Sequence, residues 1–184
     1  MRRWVIGLVP ATFIGVALLS MGGNPHPAAA QQGERLAVVS GFFDASSRGD
    51  ADGAISAFAD NAVFIGARVT GPCSPQTPCT DLASIRQQTD AAIANHICYT
   101  IRSVEVSGAV VLGQFEIRDD PSRAIGVERL LRSFIIQIPN DKISFYAALN
   151  DLSDPQTAFV VAVAAGTQAP RAPLPNPATP CAGV

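Results

Sequence analysis

The chain has 184 residues, 48% hydrophobic and 15% charged, with a formal net charge of -2. That length suits one domain plus extensions. Without a basic stripe, nucleic acid is a poor partner, and two histidines with no Cys-x-x-Cys spacing among the four cysteines exclude a His-rich or zinc-ribbon metal site.

The N-terminus reads as a targeting segment. Met1-Arg2-Arg3 is a basic start, Trp4 to Leu19 is apolar, and Ala28-Ala29-Ala30 gives an A-x-A cleavage pattern before Gln31. A membrane anchor is the alternative, but the apolar run falls short of the ~20 residues a spanning helix needs, and Pro10 interrupts it. The expected division is residues 1–30 as signal peptide, 31–158 as the domain and 159–184 as an Ala/Pro-rich tail. Export follows, with no membrane attachment after cleavage. The exported part would carry 11 Lys+Arg against 15 Asp+Glu, and His96 as its one histidine.

Leu36, Val39, Phe42 and Phe43 fall at helical spacing and predict a helix over 34–48. Gly49 suits the left-handed residue that closes it, and Asp50 then caps a short helix over 52–58. Val63-Phe64-Ile65 begins a strand. A Gly/Pro/Cys loop covers 68–79. Thr80 is placed to cap a third helix running to about Asn95, with Asp81 near its N-terminal dipole and Leu82, Ile85, Thr89, Ala92 and His96 on one face. Strands are then predicted over 98–106, 110–118, 126–138 and 142–149, with 119–122 as a turn at Pro121. Residues 158–165 are apolar and fit either a strand or a helix.

All four cysteines lie in the exported part, where an even count reads as disulfides. Three connectivities are open. The prolines between Cys73 and Cys79 favour a local pair, leaving Cys98 with Cys181. The alternative for Cys98 is a free buried thiol.

The string Gly49-Asp50-Ala51-Asp52-Gly53, followed by Phe58-Ala59-Asp60-Asn61-Ala62, resembles the NTF2-like superfamily, which includes ketosteroid isomerases, SnoaL-type polyketide cyclases and limonene epoxide hydrolases. The resemblance spans about 34–151. It implies an α+β cone: three N-terminal helices packed on a strongly curved, mainly antiparallel sheet around an apolar cavity. It also implies a homodimer through the outer sheet face. In ketosteroid isomerases a carboxylate base works with a Tyr and a protonated Asp. Matched on the Gly-Asp turn and the final hairpin, the Tyr position is Phe42, the base Gly66 and the second Asp Phe134. None can do that chemistry, so the resemblance implies an apolar pocket lined by Phe42, Phe134 and Ile136.

The remaining polar candidates are few. His96, on the third helix's apolar face, is a candidate base, or else a cap on the last carbonyls. Glu128 and Arg132 share a strand face with Phe134, as a ligand anchor or as a rim pair in water. Gln114, Glu116 and Arg118 share another face, most simply a wet one. Tyr99 is within reach of a ligand polar group. No nucleophile elbow, P-loop or dinucleotide fingerprint is present, so no cofactor is expected. The expected function is binding of a small apolar molecule without isomerase-type catalysis. The alternatives are an enzyme using His96, Glu116 or Glu128 as base, and a structural dimer whose cavity its own aromatics fill.

Overall fold

The computed structural model describes residues 27–68, 71–175 and 181. The basic and apolar stretch assigned to a signal peptide falls almost wholly in residues 1–26, outside that range. Helix α1, Pro27–Ser47, begins earlier than expected and continues through Ala30. Gly49 closes it at φ +79°, and the Asp50 side chain accepts from the Gly53 amide to cap α2, Ala51–Ser56.

Strand β1, Phe58–Ile65, starts well before Val63. Phe58, Ala62 and Phe64 are its buried positions, and a register shift between Phe58 and Val63 leaves Asp60 and Asn61 facing water. Helix α3, Leu82–Ala94, is capped by Asp81 rather than Thr80, through a 2.8 Å bond from the Ser84 amide. An Asp one residue closer to the first turn reaches the free amide directly. Ile85, Thr89 and Ala92 form its buried face.

Four further strands follow: β2, Cys98–Ser107; β3, Val110–Arg118; β4, Leu130–Gln137; and β5, Ile143–Asn150. The sheet order is β1-β5-β4-β3-β2, antiparallel except for the parallel β1–β5 pair. The cone and its mainly antiparallel sheet are as the resemblance implied. The turn expected at 119–122 is instead the start of a short helix, α4, Asp120–Ala124, capped by Asp119. Pro121 sits in its first turn, where a missing amide costs nothing.

Aromatic side chains fill the space between helices and sheet. Phe43 of α1 lies 5.1 Å from Phe115 and 5.6 Å from Phe134 between ring centres. Phe42 meets Phe58 and Tyr146, and Tyr146 stacks on Phe64 at 4.4 Å. Gly113 makes room for Phe134: a Cβ there would lie 2.5 Å from the Phe134 ring tip and 2.3 Å from the Ser103 carbonyl oxygen.

Helix α5, Pro155–Ala164, crosses the boundary expected at 158/159, so the packed unit continues into the stretch read as tail. It is pinned to β4 by Thr157, whose hydroxyl oxygen accepts from the Leu131 amide at 2.8 Å. The chain beyond α5 also docks. The Arg171 amide donates to the Ile125 carbonyl and the Leu174 amide to the Arg123 carbonyl. The Arg171 guanidinium lies 3.9 Å from the centre of the Phe159 ring. Disulfides join Cys73 to Cys79 and Cys98 to Cys181, leaving no free cysteine.

Candidate functional site

Strand alternation decides which side chains meet inside the cone. On β4, Leu130, Arg132, Phe134 and Ile136 point to the concave face. The ladders set Arg132 opposite Asn150 of β5 on one side and opposite Phe115 of β3 on the other. Asn150 serves both neighbours: its carbonyl oxygen accepts from Arg132 Nε at 3.0 Å, and its amide donates to the Ala67 carbonyl at 3.0 Å.

These residues form one side of a cleft of about 350 Å³ at the open end of the cone. Helix α5 supplies the facing apolar wall with Val160, Val161, Val163 and Ala164, and Ile125 and Leu130 extend it. The polar groups on the lining are few. Arg132 and Asn150 come from the sheet, Arg68 follows β1, Asn95 ends α3, and Asp119 and Ser122 belong to the α4 cap. Asp119 is partly committed, since one oxygen accepts from the Ser122 amide at 2.9 Å.

Burial governs the electrostatics here. It lowers the pKa of Arg132, with the nearby phenols and Asp119 opposing. A guanidinium nevertheless stays charged at any ordinary pH. Burial pushes the Tyr99 phenol up to about 12 and Tyr146 well above its usual value, with Arg132 acting to pull both back. Both phenols therefore remain protonated donors beside the guanidinium.

Of the residues singled out in the sequence, Arg132 lines the cleft and Tyr99 lies within its electrostatic reach. The others are placed elsewhere. Phe42, Phe134 and Ile136 are buried in the core packing and do not line this cleft. His96 follows the end of α3 at φ +49°, and its side chain is 68% exposed. There Nδ1 lies 2.6 Å from Asp120 Oδ2. The helix ends before His96, so the face counted at helical spacing no longer applies to it. Glu128 pairs with Arg123 at 2.6 Å, not with Arg132. Glu116 lies on the outer sheet face, only 2% exposed, held by Arg102 and Arg118. Gly66 is covered by the Cys73–Cys79 loop: a Cβ there would lie 3.1 Å from the Cys73 carbonyl oxygen.

Sequence reasoning missed Asn150, Asp119 and the α5 wall. Asn150 was in principle findable, because a hairpin turning at Pro139-Asn140-Asp141 brings it opposite Arg132. The α5 wall had no such signal. No group of three or more His, Cys, Asp or Glu suited to a metal occurs among the described residues.

No protein-family model matches the sequence, and no curated protein matches it. Solved structures do. One is described as an LEH-like epoxide hydrolase from M. tuberculosis, with TM-score 0.53 and 14% identity over 73% of this chain and 97% of that one. Another is an NTF2-like protein of unknown function from Cytophaga hutchinsonii, with TM-score 0.51 and 13% identity over 65% and 91%. A third, described as a candidate ketosteroid isomerase from Kribbella flavida, has TM-score 0.50 and 13% identity over 65% and 78%. At such identities the likeness is one of fold: the cone of this chain is an NTF2-like cone.

Proposed function

We propose that the protein is exported and binds a small, mainly apolar molecule in the cleft at the mouth of the cone, without an isomerase-type proton shuttle. The observation that carries the reading is the cleft itself: about 350 Å³, walled by the valines of α5 and by Leu130, with a few converging polar groups. That is the usual make-up of a small-molecule site, apolar walls for affinity and a few polar groups for orientation. The aromatic core closes the inner cone, so the ligand sits at the mouth and not between Phe42 and Phe134. Pairing of all four cysteines supports an oxidising compartment. No described helix is long and apolar enough to cross a membrane.

An enzymatic reading has one observation in its favour. Asp119 is a carboxylate on the lining, near a guanidinium and the Tyr99 phenol. The neighbours described as an epoxide hydrolase and a ketosteroid isomerase support that reading only through the fold they share with this chain. In that reading Asp119 takes the place given to His96, Glu116 or Glu128.

The test is displacement of a fluorescent apolar probe from the purified protein and from Val161→Trp, which fills the cleft from the α5 side. Binding should be saturable and should fall by about tenfold or more in the variant, the loss expected when a bulky ring occupies the site. Equal binding by both proteins would move the site elsewhere. Turnover of an epoxide or of a β,γ-unsaturated ketosteroid, abolished by Asp119→Asn, would decide for the enzyme.

A further inference from the structure

We propose that the ligand of this cleft is a monocarboxylate on an apolar body, its head group held by Arg132. The proposal rests on the reading of the cleft as a ligand site and adds the charge of what fills it.

The arginines of the molecule differ in how they are neutralised. Arg86, Arg102, Arg118, Arg123 and Arg129 each lie within ion-pair distance of a carboxylate. Arg132 has no carboxylate at that distance among the described residues, although it is partly buried and burial lowers its pKa. Its Nε is used by Asn150, and its two terminal nitrogens have no acceptor among the described residues. Arg123, more deeply buried, does hold a carboxylate: it pairs with Glu128 and also reaches the Pro175 carbonyl, although its Nε has no partner. A partly buried cation without an anionic partner carries a desolvation cost, and an anion brought to it recovers part of that cost.

The lining as a whole points the same way. Its charged side chains are Arg68, Arg132 and Asp119, a net charge of +1. Asp119 is the one carboxylate there, and the α4 cap engages one of its oxygens. A monocarboxylate brings the site to neutrality, whereas a doubly charged phosphate monoester would overshoot it. The free edge of a guanidinium presents parallel N–H groups that match two carboxylate oxygens. Tyr99 and Tyr146 are near Arg132 but off the lining, and being held protonated they add no negative charge. The valines of α5 receive the apolar body.

The experiment is titration calorimetry of the full chain with decanoate, decanol and decyltrimethylammonium, three head groups on one tail. Decanoate should bind about tenfold or more tighter than decanol, the worth of one charge-assisted hydrogen bond, and the ammonium should bind weakest. Arg132→Met should remove most of the difference between decanoate and decanol, and Arg132→Lys should keep more of it. Arg68→Gln changes an exposed residue and serves if Arg132→Met does not fold; it should reduce the preference by a smaller factor. Decanol binding as tightly as decanoate would overturn the charge assignment and leave the apolar site standing. So would a preference undiminished in Arg132→Met. Failure of all three to bind would overturn the site itself, and this proposal with it.

Discussion

Glu116 lies under Arg102 and Arg118, with Arg129 3.9 Å away. Burial alone would raise its pKa, but the two nearer guanidinium groups outweigh it and hold the carboxyl below its usual value. A depressed folded-state pKa means stability that is present above the unfolded value, near 4.5, and lost as pH falls through the folded one. Asp154 behaves alike: Thr157 and Arg129 outweigh its burial. Glu116→Gln should therefore lower stability by about 1–2 kcal/mol at neutral pH, a buried-pair loss discounted because the arginines are half exposed. Urea unfolding of parent and variant should converge progressively as pH falls below the unfolded value, near 4.5. A gap that stays constant down to strongly acid pH would show that Glu116 acts by packing and not by charge.

Among the elements, the chain after β5 is the least ordinary. Helix α5 walls the cleft, the segment beyond runs back along α4, and Cys181 ties it to the start of β2. The two disulfides close loops of very different length, with sequence separations of 83 and 6. The chain-entropy argument gives ~4–5 kcal/mol for the long loop and ~2 kcal/mol for the short one. Replacing Cys98 and Cys181 by Ser should lower Tm more than replacing Cys73 and Cys79, and should raise amide exchange over residues 166–175. Equal losses in Tm would mean that the tail is held by its hydrogen bonds alone. How much of this was legible differs by element. The helices α1 to α3 and the strands of the sheet carry clear periods, so their apolar positions name their faces. Helix α5 is apolar on every side, Phe159-Val160-Val161-Ala162-Val163, and has no period to separate strand from helix. Helix α4 was hidden because Asp-Pro marks a turn and a helix start equally well. At the site, alternation along β4 was enough to turn Arg132 inward with Phe134. Its pairing with Asn150 needs the register of a hairpin, and its freedom from Glu128 needs to know that Arg123 has taken that carboxylate. His96 was misplaced by extending a helical face two residues past Ala94, where the helix stops.

For the whole molecule, the remaining question is what the convex face of the sheet meets. The resemblance implies a homodimer through it. Residues that alternate with the inward set point there: Leu112 opposite Ile135, and Leu149 opposite Ser133. Leu112, Ile135 and Leu149 are 38%, 38% and 58% exposed, high for large apolar side chains on a sheet. With Ser103, Val104 and Gln114 they line a shallow depression of about 450 Å³ in which Glu105 is the one charged residue. A two-fold pairing needs such a patch to fit its own copy, and about 800 Å² per partner for a stable dimer. The expected outcome in sedimentation is a dimer at micromolar concentration, converted to monomer by Ile135→Lys, because two buried ammonium groups would face each other without partners. The same variant should bind the apolar probe as the parent does, since Ile135 points away from Arg132 and Phe134 on the same strand. A parent that stays monomeric at high concentration would assign the convex face to water, as the open side of an antiparallel sheet allows. Ligand binding in the cleft would then be the property of a single chain.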